Sequence, residues 1–368
     1  MKHHWSFLYA LSLLLATALT NCGGSSSPSA EAADEAYPDT LRYEQEVHLK
    51  NLRQLTFGGD NAEAYFSFSG QELVFQATNK DWGLECDQIF YMPITGYTGE
   101  RPPMVSTGKG RTTCAYFMPG DQAMLYASTH LADEACPPPA VPIQGKYVWP
   151  IYETFDIFVA DRAGNIVQQL TDSPYYDAEA TVSPDGKKIV FTSTRSGDLD
   201  LWVMDIDGSN PTQITHEIGY DGGAFFSPDS KKIVFRASRF ETEEEKEEYK
   251  SLLQQGMVQP TNMEIFVCDA DGSNLQQVTK LGKANWAPYF HPSGERILFA
   301  SNHHSESGRK FNIFSIKLDG SDLQQITFDD TFDAFPMFSP DGKKIVFSSN
   351  RFNGGTRDTN VFVADWVE

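Results

Sequence analysis

Apolar positions along this chain fall in short runs broken by polar turns. One run follows the turn Ser183-Pro184-Asp185-Gly186-Lys187-Lys188 as Ile189-Val190-Phe191, and the same nine-residue string recurs from Ser339 to Phe347. Ser227 to Phe235 and His291 to Phe299 are close variants, while Ser67 to Phe75 and Met118 to Tyr126 are degenerate ones, which makes six. A second run occurs the same number of times, as Gln88-Ile89-Phe90, Asp156-Ile157-Phe158, Asp200-Leu201-Trp202, Glu264-Ile265-Phe266, Asn312-Ile313-Phe314 and Asn360-Val361-Phe362. A third does too, as Gln54-Leu55-Thr56, Met104-Val105-Ser106, Gln169-Leu170-Thr171, Gln213-Ile214-Thr215, Gln277-Val278-Thr279 and Gln325-Ile326-Thr327. Short runs rich in Val, Ile, Phe and Thr, separated by Pro-Asp-Gly and Asp-Gly-Ser-Asn, predict strands joined by hairpins.

Each unit therefore reads as four strands, A to D. A precedes the Asp-Gly turn, B follows it, C carries the Ile-Phe element and D the Gln-Leu-Thr element. One such unit cannot bury both of its faces alone, whereas six packed radially can. The predicted fold is all-β: a six-bladed β-propeller of four-stranded blades. The order of elements starts with a D strand, Leu52 to Phe57, and ends with a C strand, Asn360 to Trp366. The N-terminal strand is thus expected to complete the last blade and close the ring.

The repeat resembles the TolB/PD40 (WD40-like) family over about residues 50–367. That resemblance implies the fold and little of the function, because the repeat is a scaffold. The chain is expected to be distinct from TolB itself, whose α/β domain has an anchor and linker in its place here.

Ahead of the repeats, Lys2 and two histidines precede an apolar run from Phe7 to Leu19, too short to span a bilayer. Leu19-Thr20-Asn21-Cys22 resembles a lipobox, which implies cleavage and lipidation at Cys22, and Gly23-Gly24-Ser25-Ser26-Ser27-Pro28-Ser29 reads as a flexible tether. The expected organisation is a signal peptide over 1–21, a lipidated linker over 22–48 and the propeller over 49–368. Gly23 in place of an aspartate favours the outer membrane, facing the periplasm or the cell surface. A formal charge of −21 argues against nucleic acid as a partner. A closed ring without free sheet edges implies a monomer.

Antiparallel connectivity puts the A–B and C–D turns on one face of the disc and the D–A and B–C loops on the other. The second face is the irregular one. Residues 130–154 form a long B–C loop with Cys136, Tyr147 and Trp149. Residues 240–263 read as a helix, with Thr242 and Glu245 as a capping box and Tyr249, Leu252 and Leu253 as its apolar stripe. Elaborated loops on a rigid scaffold are where function usually sits. Tyr147, Trp149, Tyr175, Tyr176 and Trp286 are its candidate contact aromatics.

Alignment of the units exposes one position just before strand A, held by Asn61, Thr112, Asp177, Asp221, Asn285 and Asp333. Eighteen residues later stand Asn79, His130, Arg195, Arg239, His303 and Arg351. The Asp units are the Arg units, which predicts the clamps Asp177–Arg195, Asp221–Arg239 and Asp333–Arg351. The other units leave uncharged groups expected to be free for a ligand. His130, His303 and His304, with Glu63 or Glu179 nearby, form a candidate divalent-metal site near the channel mouth. Cys86, Cys114 and Cys136 share this face, so a disulfide among them is expected, most simply between Cys136 and one of the others. Asp205-Ile206-Asp207-Gly208 and Asp269-Ala270-Asp271-Gly272 begin like calcium loops but lack the later ligands, and read as turns.

The chain carries no recognised catalytic motif. The leading expectation is therefore a non-enzymatic module that needs no cofactor, tethered to the membrane and offering its loop face to an envelope protein, peptide or glycan. The alternative is a metal-assisted lyase or hydrolase using histidines on that face. It rests on a loose similarity to propeller lyases that act on uronate sugars with histidines and a divalent metal.

Overall fold

The computed structural model describes residues 40–138, 143 and 145–368. The expected signal peptide and tether, and Cys22 as the expected lipidation position, lie outside the described residues. Among the described residues six sheets radiate from a central axis, five of them four-stranded and one three-stranded. Blade 3 shows the common plan, with A at Asp177–Val182, B at Lys188–Ser193, C at Asp200–Asp205 and D at Thr212–Gln213. Blade 1 is the short one. Beyond its C strand, Gln88–Pro93, a single bridge joins Phe90 to Met104, because Pro102 and Pro103 have no N–H to extend a ladder.

The ring closes through Leu49–Gln54, which pairs antiparallel with Asn360–Trp366 as the D strand of blade 6. This strand begins three residues before the sequence pattern placed it. Leu49 lies opposite Trp366, so the pairing reaches back beyond the Gln-Leu-Thr element.

The repeated residues have repeated duties. Phe75, Tyr126, Phe191, Phe235, Phe299 and Phe347, all on B strands, are fully buried between blades. Burial of each such aromatic contributes roughly 2–3 kcal/mol. In all six blades the hydroxyl ending the Gln-Leu-Thr element accepts the amide of the second C-strand residue at 2.8–2.9 Å, as Thr171 does from Ile157 and Thr215 from Leu201. Threonine or serine recurs there because a buried backbone N–H just past the end of the D-strand pairing needs an acceptor.

The helix forms at Glu243–Leu253, with both hydrogen bonds of the Thr242–Glu245 capping box present and Tyr249 and Leu252 buried beneath it. Beyond it, Met257–Val258 pairs with Trp149–Pro150 of the blade 2 loop, so the two longest B–C loops join in a small ribbon. Cys136 of the blade 2 loop is disulfide-bonded to Cys86 of blade 1, while Cys114 and Cys268 are free thiols. The loop is thus held at both ends.

Candidate functional site

Each innermost strand carries a bulge at the same place, between its second and fifth residues in blades 3 to 6. The third residue of the strand in blades 2 to 6, and the fourth in blade 1, takes a left-handed backbone. These residues are Glu63, Cys114, Glu179, Gly223, Ala287 and Phe335, with φ between 45° and 58°. The bulge turns this residue into the channel, where the six make a ring. Two positions further on, Tyr65, Tyr116, Thr181, Phe225, Tyr289 and Met337 make a second ring. Its aromatics meet across the axis, with Tyr65–Phe225 at 5.2 Å and Phe225–Tyr289 at 5.1 Å between ring centroids.

The second ring plugs the channel. Above it, on the elaborated face, lies a chamber of about 380 Å³ whose lining includes Trp149, Tyr152 and Trp286. Below it a smaller hollow of about 230 Å³ opens among the Ser-Pro turns of the plain face. The loop ribbon reaches over the upper chamber, where Trp149 lies 5.1 Å from Trp286 between ring centroids. The upper volume falls within the range of small-ligand sites.

The bulge ring is polar on one side. Glu179 accepts from Tyr176 Oη at 3.2 Å, from the Gly223 N–H at 2.5 Å and from Arg236 Nη2 at 3.0 Å, and the Tyr220 hydroxyl donates to it as well. Gly223 is required here. A Cβ at this position would stand 1.9 Å from Arg236 Nη1, so the guanidinium occupies the space a side chain would fill. Among the described residues Glu63, by contrast, has only the Cys114 thiol as a hydrogen-bonding neighbour. Its Oε2 is buried with no partner among the described residues. Burial first, and then the Glu179 charge, push the Glu63 carboxyl up to about 7.

That shift has a testable sign. An acid whose folded pKa is raised from 4.5 to about 7 adds stability below its unfolded value, and that stability is lost as pH climbs through 7. Glu63→Gln, which mimics the protonated form, is expected to be more stable than the parent by about 2–3 kcal/mol at pH 8 and equal to it near pH 4. Urea unfolding at the two pH values checks this, and an unchanged difference between them would contradict it.

The sequence-predicted pairs meet within their own blades. Arg195 Nη2 lies 2.8 and 2.7 Å from the two oxygens of Asp177, and Arg239 contacts both oxygens of Asp221 at 2.5 and 3.2 Å. Arg351 takes Asp333 at 3.0 Å and adds Glu46, from the segment ahead of the first strand, at 2.9 and 3.0 Å.

In the remaining blades the equivalent groups are not free, contrary to expectation. Asn61, Thr112 and Asn285 are fully buried and donate to the strand and loop carbonyls of Gly58, Asp87 and Met263. Asn79 caps the short helical turn Lys80–Trp82.

His130 and His303 take the place of the arginines. Their Nδ1 atoms meet Ser128 and Ser301 at 2.9 and 2.8 Å, as Arg195 Nε meets Ser193. Their rings pack on Phe158 and Phe314, as the Arg239 guanidinium packs on Phe266. His304 bonds Asn312 at 2.9 Å and shares Phe314. Burial lowers the pKa of all three rings.

The three-histidine metal site is therefore not assembled. His130 belongs to blade 2 and the other two to blade 5, each held against its own blade. Among the described residues no group of three or more His, Cys, Asp or Glu side chains could hold a metal ion. Of the candidate face, Thr112, Tyr147, Trp149, Tyr176 and Trp286 line the chamber together with Glu63 and Glu179, while Tyr175 stands exposed outside it. Arg236, Gly223, Gln76 and the Asp87–Arg111 pair also line it and were missed. Counting two and four residues past the aligned Asn61 position in each unit reaches both rings.

The sequence matches the TolB beta propeller domain family (PD40) over residues 152–246 and 256–362. No curated protein matches it. Among solved structures, the fold is similar to that of a TolB candidate from Agrobacterium tumefaciens, with 19% identity, a TM-score of 0.53 and coverage of 84% of this chain and 91% of that one. TolB from Acinetobacter baumannii gives 17% identity and a TM-score of 0.48 over 83% of this chain and 63% of that one. An oligogalacturonate lyase in complex with manganese gives 13% identity and a TM-score of 0.47, over 86% and 93% respectively. At these identities the likeness concerns the fold.

Proposed function

The chain belongs to the TolB-type β-propeller (PD40) family, and on that footing we propose that it is a non-enzymatic binding module of the cell envelope. In this reading it is exported, held by a lipid on Cys22 in the outer membrane, and receives a segment of a protein, peptide or glycan partner in the chamber of its elaborated face. The observation that carries the reading is the chamber itself, closed below by the aromatic plug and overhung by a ribbon of two loops. Its polar groups mostly hold one another, as Glu179 is held by two tyrosines, an amide and Arg236. What remains for a visitor is mainly aromatic surface, which suits binding by contact area. The disulfide and the ribbon fix the loops in advance, which lowers the entropy cost of association.

A photo-crosslinking residue at Tyr147, which is 58% exposed at the rim, provides the test. In cells it is expected to capture a discrete partner, whereas the same group at the exposed Val167 on the outer D strand of blade 2 is not. Trp286→Leu should abolish the Tyr147 adduct. Equal capture at both positions, or an adduct indifferent to the Trp286 change, would rule the chamber out as the binding site.

A further inference from the structure

Given a chamber that binds, the chemistry of its lining narrows what it binds. Among the described residues five groups of formal charge line it: Glu63, Asp87 and Glu179 against Arg111 and Arg236. Two pairs neutralise themselves, Asp87 with Arg111 at 3.4 Å and Glu179 with Arg236 at 3.0 Å. Glu63 is left over, and one of its oxygens is buried without a hydrogen-bond partner among the described residues. A buried acceptor in that condition costs about 1–3 kcal/mol until something donates to it.

The walls around this carboxyl suit a cation. The Arg236 guanidinium already lies 5.5 Å from the Trp149 ring centroid and 5.1 Å from that of Tyr220, so these faces accept positive charge. Trp286, Phe332 and Phe335 extend the aromatic lining. A formal charge of −21 on the chain draws cations toward the mouth.

We propose, building on the binding role inferred above, that the chamber recognises a primary ammonium group, whose N–H donates to Glu63 while its alkyl stem lies among the aromatic rings. The group belongs either to a free alkylamine or to a lysine side chain of a peptide, and both present the same chemistry. Ligand binding then favours the carboxylate form of Glu63, so a fraction of a proton is released on binding near pH 7.

The test is calorimetric titration of the intact mature protein with n-butylammonium and, in parallel, with n-butanol as its uncharged counterpart. Saturable binding of the ammonium, at least tenfold tighter than the alcohol and accompanied by proton release between buffers of different ionisation enthalpy, is the expected result. Glu63→Gln should weaken the ammonium at least tenfold while the protein stays folded, which the urea unfolding of that variant checks independently. A short peptide with one central lysine then separates the sources: tighter binding than butylammonium assigns a partner's side chain, and equal or weaker binding assigns a free amine. Alcohol binding as strong as the ammonium, or an ammonium affinity unmoved in Glu63→Gln, overturns the inference. Crosslinking at Tyr147 is read separately, so the chamber can fail as an ammonium site and still stand as a partner site.

Discussion

Arg351→Met is expected to destabilise the propeller by about 5 kcal/mol, the upper end of the cost of removing one partner from a buried ion pair. Of the three clamp arginines it is the buried one, at 1% exposure. Its partners Glu46 and Asp333 have no exposed side-chain surface. The guanidinium serves both, takes the Leu41 carbonyl at 3.3 Å, and packs against Tyr43, Phe347 and Phe362. Methionine keeps much of the volume and none of the charge, leaving two carboxylates buried together. The site also lies at the seam, where the segment before the first strand is strapped to blade 6, so the loss falls on ring closure. Arg195→Met, with the parent side chain 17% exposed in a clamp with a single carboxylate, should cost about 2 kcal/mol. Urea unfolding of the two variants decides the matter, and equal costs would mean that the Glu46 strap adds nothing. The triple change Arg351→Met, Glu46→Gln, Asp333→Asn should recover most of the loss, because no unpaired charge then remains buried.

The seam also shows what the sequence could reveal. Strand order and ring closure were legible because the turns and the Gln-Leu-Thr element carry chemistry that repeats by residue type. The Asp–Arg clamps were legible for the same reason, since charge covaries between repeats at a fixed spacing. The strap was not, because Glu46 lies outside the repeat and has no counterpart in the other blades.

The chamber was largely hidden for a different reason. Its inner ring reads Glu, Cys, Glu, Gly, Ala, Phe, a set without shared chemistry. What these positions share is a backbone conformation, imposed by a bulge that sequence periodicity does not announce. The histidines were misread by the converse error. Their chemistry suggested metal, but His130 and His303 hold the repeat position of the clamp arginine and His304 follows directly after it, so each ring is tied to its own blade. The ribbon over the chamber joins two-residue strands from loops about a hundred residues apart, too short to leave a pattern. Only the aromatic content of the blade 2 loop pointed toward it.

Arg236→Met is the second large effect, expected at about 4 kcal/mol. Arg236 sits on strand B of blade 4, reaches into the slot left by Gly223, and joins Glu179 of blade 3 to the Tyr220 hydroxyl at 2.8 Å. Without it Glu179, 7% exposed, keeps its tyrosine and amide donors but loses its counter-charge, and a gap opens beside Gly223. The cost should depend on Glu179 still being an acid. Glu179→Gln alone strands the arginine and should also destabilise, whereas the double variant removes both charges and should lie within about 1–2 kcal/mol of the parent. A double-mutant cycle by urea unfolding therefore predicts a coupling of about 3 kcal/mol or more between the two sites. Additive losses would mean that Arg236 acts through packing alone. The 3.0 Å contact between Arg236 and Glu179 would then contribute nothing to stability beyond what each side chain adds alone.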